Sequence, residues 1–190
     1  AVAKGRAALS LNEAEMYPKG YRLGDATGGI GVEAGQCEVE VACPGAETGR
    51  ATVDVEAGTT TTVVAYAERV EANREKPVHW QIRFLPFRQD QPVRARRMIF
   101  ISVSAEPKVR VEMGAPNGKW HPARVERLKT ATLPIRHTEG YVPLRVGEKK
   151  LKSVPVMARG AHVVVLYDAA EGGLRSIFFR DYISSAVDNE

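Results

Sequence analysis

The chain of 190 residues carries 27 Lys and Arg against 23 Asp and Glu, so its formal net charge is +4 and it is only mildly basic. Hydrophobic residues make up 44% and charged residues 26%, a composition that is typical of globular proteins and excludes disordered or collagen-like sequence. No apolar run reaches the roughly 18 residues of a membrane-spanning helix. The sequence therefore predicts no membrane span, and its length suits one large domain or two of about 95 residues each.

Charge is distributed unevenly along the chain. Residues 1–92 contain 10 basic and 13 acidic side chains, whereas residues 93–190 contain 17 basic and 10 acidic side chains, so the two halves carry net charges of −3 and +7. The change falls in the polar segment 89–97, which contains Pro92 and has little apolar periodicity, as is typical of a linker. We therefore predict an N-terminal domain over 1–92 and a C-terminal domain over 93–190.

Alternation of apolar and polar residues dominates both halves. Cys37, Val39, Val41 and Cys43 are separated by single residues, two of which are glutamates, the pattern of a strand with one buried face. Glycines separate many such segments, and together these features indicate an all-β protein. The further predicted strands cover 51–56, 59–67, 79–84, 98–104, 108–113, 130–135, 142–146, 153–157, 162–167 and 175–179.

The two halves resemble each other. Residues 32–41 parallel residues 137–146, with a glycine at the same place in each, and Gly35 corresponds to Gly140. Later segments also correspond, with offsets that drift as loop lengths change between diverged copies. Such an internal repeat indicates repeated structural units. We therefore predict two tandem antiparallel β-sandwich domains of immunoglobulin-like type, in preference to one large domain.

The chain contains only two cysteines, Cys37 and Cys43. On one extended strand a separation of six residues places them roughly 20 Å apart, whereas a disulfide needs Cα atoms within about 7 Å. We expect two free thiols, and a local disulfide would require a turn between them. Neighbouring glutamates would raise a thiolate pKa, so both cysteines are predicted to be structural.

No local motif indicates catalysis or metal binding. The four histidines at 79, 121, 137 and 162 show no zinc-ligand spacing, and no Gly-x-Ser-x-Gly motif for a nucleophilic serine is present. The glycine-rich segment 25–31 lacks the Lys-Ser or Lys-Thr pair of a phosphate-binding loop, so a turn or bulge is preferred there. The sequence predicts no catalytic residue, no metal site and no cofactor.

Arginines provide the strongest electrostatic feature. Arg88, Arg94, Arg96 and Arg97 lie close together in the sequence, and guanidinium groups pair well with carboxylates and phosphates. They predict a site for an anionic polysaccharide or an acidic protein, and the alternative is a solvated linker. A nucleic-acid partner is not predicted, because the net charge is small and no nucleic-acid-binding module is recognisable. Trp120, in a setting that suggests a turn, is the predicted exposed aromatic contact.

A family resemblance follows from the second half. Residues 154–167, which read VPVMARGAHVVVLY, and the later Gly172-Gly173-Leu174-Arg175 segment resemble the C-terminal domain of the AlgF family of periplasmic accessory proteins in alginate O-acetylation. The wider pattern is similar to the sandwich repeat of secreted bacterial proteins. The resemblance spans roughly residues 30–180, and the first half matches it only loosely.

The resemblance implies two β-sandwich domains and a periplasmic or secreted location. It also implies a non-catalytic adaptor whose partners are periplasmic proteins of polysaccharide modification, and an anionic polysaccharide is a second candidate partner. The start at Ala1 without a signal segment indicates a processed or trimmed chain. The alternative function is a carbohydrate esterase or acetyltransferase whose site is assembled from separate loops.

Overall fold

In the computed structural model, every regular element in the described part of the chain is a β-strand, which confirms the all-β prediction. The chain divides into two compact units, Ala1–Asp90 and Gln91–Glu190, called here the N-terminal and C-terminal units. The predicted boundary between residues 92 and 93 lies outside the described residues. The structure describes residues 5–72, 77–88, 96–136, 140–156 and 161–180.

Among its described residues, the N-terminal unit has two sheets. A four-stranded sheet has the order β2-β1-β3-β4, and β5 pairs with β6 in a second sheet. Alternation along β3 buries Cys37 and Val39, which pack with Val53 of β4, and Val63 and Phe84 of the second sheet also contact this core. The strands are β1 (Ala8–Leu11), β2 (Ala14–Glu15), β3 (Gly35–Ala42), β4 (Gly49–Val55), β5 (Thr61–Val70) and β6 (His79–Arg88).

In the C-terminal unit, the part that the structure describes forms two four-stranded sheets and one two-stranded sheet. Their strand orders are β10-β7-β15-β16, β13-β12-β8-β9 and β11-β14. All the pairs are antiparallel except β7 and β15, which run parallel. The strands are β7 (Arg97–Ser102), β8 (Lys108–Gly114), β9 (Trp120–Glu126), β10 (Thr130–Pro134), β11 (Gly140–Val142), β12 (Leu144–Val146), β13 (Lys149–Lys150), β14 (Val154–Val156), β15 (Ala161–Asp168) and β16 (Leu174–Arg180).

The core of the C-terminal unit contains side chains from both of its four-stranded sheets and from the two-stranded sheet β11-β14. Val111, Val125 and Leu144 enter it from one sheet, and Phe100 and Leu166 enter it from the other. Each of the five is at most 1% exposed, and burial of one such side chain contributes about 1.5–3 kcal/mol. Because side chains alternate along a strand, this packing forces the residues between Val109, Val111 and Met113 to the opposite face of β8.

Pro143 divides the strand that the sequence predicts over 142–146. Residues before it, in β11, pair with β14, and residues after it, in β12, pair with β8. Gly114 allows the close approach, because a Cβ atom on Gly114 would lie only 2.6 Å from Cγ of Pro143. The predicted single strand is therefore two short strands that belong to different sheets.

Both cysteines are free, as the sequence predicts. Cys37 lies in β3 and is buried, and Cys43 directly follows that strand and is half-buried. Burial raises the pKa of the Cys43 thiol, which disfavours the reactive thiolate. The geometry therefore fits two structural thiols.

Candidate functional face

The outer side of the sheet β13-β12-β8-β9 carries a dense set of charged and aromatic side chains. It is called here the outer face. Strand alternation and pairing register place its members opposite the buried core residues. They are Lys108, Arg110, Glu112, Trp120, Pro122, Arg124, Glu126, Arg145 and Lys150.

Two cross-strand pairs on the outer face join like charges. Arg110 of β8 lies directly opposite Arg124 of β9, and Arg145 of β12 lies directly opposite Lys150 of β13. Side chains at such positions have Cβ atoms about 4.5–5.5 Å apart, and like charges there destabilise a sheet. Taken alone, each of these pairs would weaken the sheet.

A stacked cluster occupies the end of the outer face at Trp120. The guanidinium carbon of Arg145 lies 4.1 Å from the centre of the Trp120 ring, within the range of a favourable cation–π contact. Nε of Arg145 donates a hydrogen bond of 2.6 Å to Oε2 of Glu112. The side chain of Glu112 is only 13% exposed, and the hydrogen bond from Arg145 is the main reason that its pKa is lowered. Glu112 thus holds Arg145 over the indole ring.

Only some cations of the outer face have a carboxylate partner. Arg110 lies 3.1 Å from Glu112, and Lys108 lies 3.2 Å from Glu126. Glu126 also pairs with Lys129, and hydrogen bonds from Lys129 and Lys108 lower its pKa. Within the described residues, Arg124 and Lys150 are exposed and have no ion-pair partner. These two cations remain available to a ligand.

Tyr141 and Pro143 precede Arg145 in the chain, and Tyr141 belongs to the neighbouring two-stranded sheet β11-β14. Tyr141, Pro143 and Arg145 alternate with buried Val142 and Leu144, so the three share the outward side of their segment. Tyr141 is 72% exposed, the highest value among the exposed large hydrophobic residues of the described chain. Its side chain is therefore an accessible aromatic ring four residues before Arg145 in the chain.

The structure locates the predicted arginines at different kinds of position. Arg88, in β6, forms a two-pronged ion pair with Glu56, whose pKa is lowered mainly by that hydrogen bond. The main-chain carbonyl of Arg96 accepts a hydrogen bond from the N–H of Ile135. Arg97 belongs to β7, and its Nε is buried without a hydrogen-bond partner in the described residues. Arg94 lies outside the described residues. The anion site predicted at these arginines stays a prediction.

Trp120 is the predicted contact residue that the outer face contains. It is the first residue of β9 and is half-buried under Arg145. The expectation that Trp120 lies in a turn is therefore wrong: the turn is made two residues earlier by Gly118, with φ of +75°. Glu112, Arg124 and Arg145 were not singled out from the sequence. The alternation in Lys108–Met113 signals the outward orientation of Glu112, but Arg124 and Arg145 lie on other strands, and the assembly of the three depends on pairing between strands.

The buried Ser104 hydroxyl has a structural setting. Ser104 is fully buried, and its Oγ donates a 2.8 Å hydrogen bond to Asp168. The other carboxylate oxygen of Asp168 accepts a hydrogen bond from the main chain at Ala105. This pair fixes the segment that follows β7 onto the end of β15. No group of three or more potential metal ligands occurs among the described residues.

No protein-family model matches the chain, and no curated protein matches it either. In the described part of the chain, no helix has the length and apolar character needed to cross a membrane. The function is therefore inferred from the side chains of the outer face.

Proposed function

We propose that the protein is an exported, non-catalytic adaptor that binds an anionic polysaccharide on the outer face and assists its modification, such as O-acetylation, by protein partners. Each unit is one β-sandwich domain, in line with the internal repeat. The resemblance of residues 154–167 to the AlgF family supports the adaptor role and a periplasmic or secreted location.

The pairing of like charges carries the proposal. Arg110 opposite Arg124 and Arg145 opposite Lys150 concentrate four cations on one small sheet. A bound polyanion would offset the repulsion that these pairs exert in the free protein. Guanidinium groups also match the planar, two-oxygen geometry of a carboxylate. A ligand with repeated carboxylates therefore suits the outer face.

The aromatic residues favour a sugar polymer over a simple anion. Trp120 lies within the cationic cluster, and Tyr141 is an exposed aromatic residue four residues before Arg145 in the chain. Aromatic rings contribute large apolar contact areas while keeping a polar edge accessible to water. A polyuronate offers both ring faces for such contacts and carboxylates for the cations, whereas inorganic phosphate offers only charge.

The experiment measures binding of polygalacturonate to the full-length protein by isothermal titration calorimetry at low and high salt. Affinity should fall as salt rises, because the Debye length shortens from about 10 Å at 0.1 M to about 3 Å at 1 M. Arg124→Gln should weaken binding about three- to tenfold, which corresponds to roughly 0.7–1.4 kcal/mol. Arg136→Gln is the matched control, since Arg136 is exposed and lies outside the outer face.

Three results would count against the proposal. Equal losses for Arg124→Gln and Arg136→Gln would mean that only net charge matters. Tighter binding of poly-L-glutamate than of polygalacturonate would indicate an acidic protein as the partner. Tighter binding of a single-stranded oligonucleotide would indicate a nucleic-acid ligand.

A further inference from the structure

We propose that the Arg145 side chain covers the ring of Trp120 until a ligand carboxylate displaces it. The outer face therefore selects polymers that carry both a carboxylate and a sugar ring. The inference rests on the proposed polysaccharide-binding function and names how the same site distinguishes its ligands. It follows from the two contacts of Arg145, its hydrogen bond to Glu112 and its cation–π contact with Trp120.

Arg145 occupies the indole surface that a sugar ring would use. Its guanidinium carbon lies 4.1 Å from the ring centre of Trp120. In this arrangement a neutral sugar must displace the guanidinium before it stacks on the ring, and it offers no charge in exchange. Neutral polymers are therefore disfavoured at this site.

A carboxylate ligand offers Arg145 an equivalent partner. Arg145 is held by a carboxylate already, through its 2.6 Å hydrogen bond to Glu112, and Glu112 keeps a second cation, Arg110, at 3.1 Å. When Arg145 exchanges Glu112 for a ligand carboxylate, one charge-assisted hydrogen bond replaces another, and Glu112 remains paired with Arg110. Repulsion from Lys150, directly opposite Arg145, also decreases as the ligand adds negative charge. The movement of Arg145 then uncovers Trp120 for the attached ring.

Three matched polymers separate the two requirements. Polygalacturonate has rings and carboxylates, its fully methyl-esterified form has the same rings without charge, and poly-L-glutamate has carboxylates without rings. The wild-type protein should bind polygalacturonate at least about tenfold more tightly than either of the others. Affinities are measured by calorimetry on the full-length protein, with thermal melting to verify that each variant is folded.

Arg145→Ala tests the cover directly. The variant should bind the methyl-esterified polymer about three- to tenfold more tightly than the wild type, the change expected when an aromatic contact becomes available, and should bind polygalacturonate more weakly. Arg124→Ala is the matched control, because it removes one positive charge from the same face without contacting Trp120. It should weaken polygalacturonate binding and leave binding of the neutral polymer unchanged. Arg145→Lys, which keeps the charge but not the planar stack, should also bind the neutral polymer more tightly.

The outcomes distinguish the two proposals. If the wild type binds polygalacturonate but Arg145→Ala and Arg145→Lys gain no affinity for the neutral polymer, Arg145 contributes only charge and the cover is refuted while the function stands. If the wild type binds none of the three polymers at low salt, the proposed function and the cover are both refuted.

Discussion

Replacing Arg124 by glutamine should make the free protein more stable while it weakens ligand binding. Arg124 lies directly opposite Arg110 across β8 and β9, and a cross-strand pair of charges changes sheet stability by roughly 0.2–1 kcal/mol. Arg110 is already close to Glu112, at 3.1 Å, so part of the repulsion is offset. We therefore expect a gain near the lower end of that range, about 0.2–0.5 kcal/mol.

This gain is measurable as a change in melting temperature. A stability change of 1 kcal/mol shifts the midpoint by roughly 4–8 °C for a domain of 60–100 residues, so Arg124→Gln should raise the melting temperature of the C-terminal unit by about 1–4 °C. The difference should shrink in 1 M salt, where the Debye length is about 3 Å. Differential scanning calorimetry of the full-length protein at low and high salt provides the assay.

The matched control again is Arg136→Gln, which removes an exposed arginine from the same unit but not from a like-charge pair. Its melting temperature should stay within about 1 °C of the wild type, because isolated surface charges contribute little to stability. A decrease in stability for Arg124→Gln, or an equal increase for both variants, would refute the claim that the outer face maintains repulsion at the expense of stability.

Three further predictions concern acid stability, thiols and chain organisation. Arg145 lowers the pKa of Glu112, so the Glu112 carboxylate stabilises the fold above its unfolded pKa, and this contribution is lost as pH falls through the lower folded pKa. The melting temperature should therefore decline less steeply between pH 6 and pH 3 for Glu112→Gln than for the wild type. Parallel curves for the two proteins would contradict this prediction. Thiol titration should detect both Cys37 and Cys43 in denatured, unreduced protein and slow reaction in the native state, whereas no thiol after denaturation would mean a disulfide. Limited trypsin digestion should cut between Arg88 and Arg97 and leave two stable fragments; cleavage inside the strands instead would refute the predicted linker.

Sequence alternation was sufficient for some of the strands with one buried face. In β3 and β8 every second residue is apolar, and burial follows that pattern in both strands. β9 was missed because Pro122 interrupts its pattern and proline is normally excluded from strand interiors. The structure explains the exception: β9 is the last strand of its sheet, where a missing N–H group costs no pairing. Edge position is a property of the assembled sheet and has no local signature.

The arginine prediction shows the same limit for charged residues. Arg88 stands out in the sequence because other arginines follow it, but its carboxylate partner, Glu56, comes from 32 residues earlier in the chain. Conversely, Arg145 has only uncharged residues within two positions on either side, and strand pairing brings it to Glu112 and Trp120. Clustering along the sequence therefore identified candidate cations but not those that the fold gathers around the aromatic ring.

The register between β8 and β9 finally determines that like charges meet on the outer face. A shift of two residues would keep every core side chain on the inner face, since side chains alternate with period two, and would place Arg124 opposite Glu112 as an ion pair. The observed register places it opposite Arg110 instead. The turn between the strands fixes this register. Gly118 has φ of +75°, and its N–H donates a hydrogen bond to the carbonyl of Ala115. The side chain of Asn117 accepts a hydrogen bond from the main-chain N–H of Lys119. A short turn of defined geometry thus imposes a charge arrangement that pairing energy alone would not select, and the proposed anion binding depends on that arrangement.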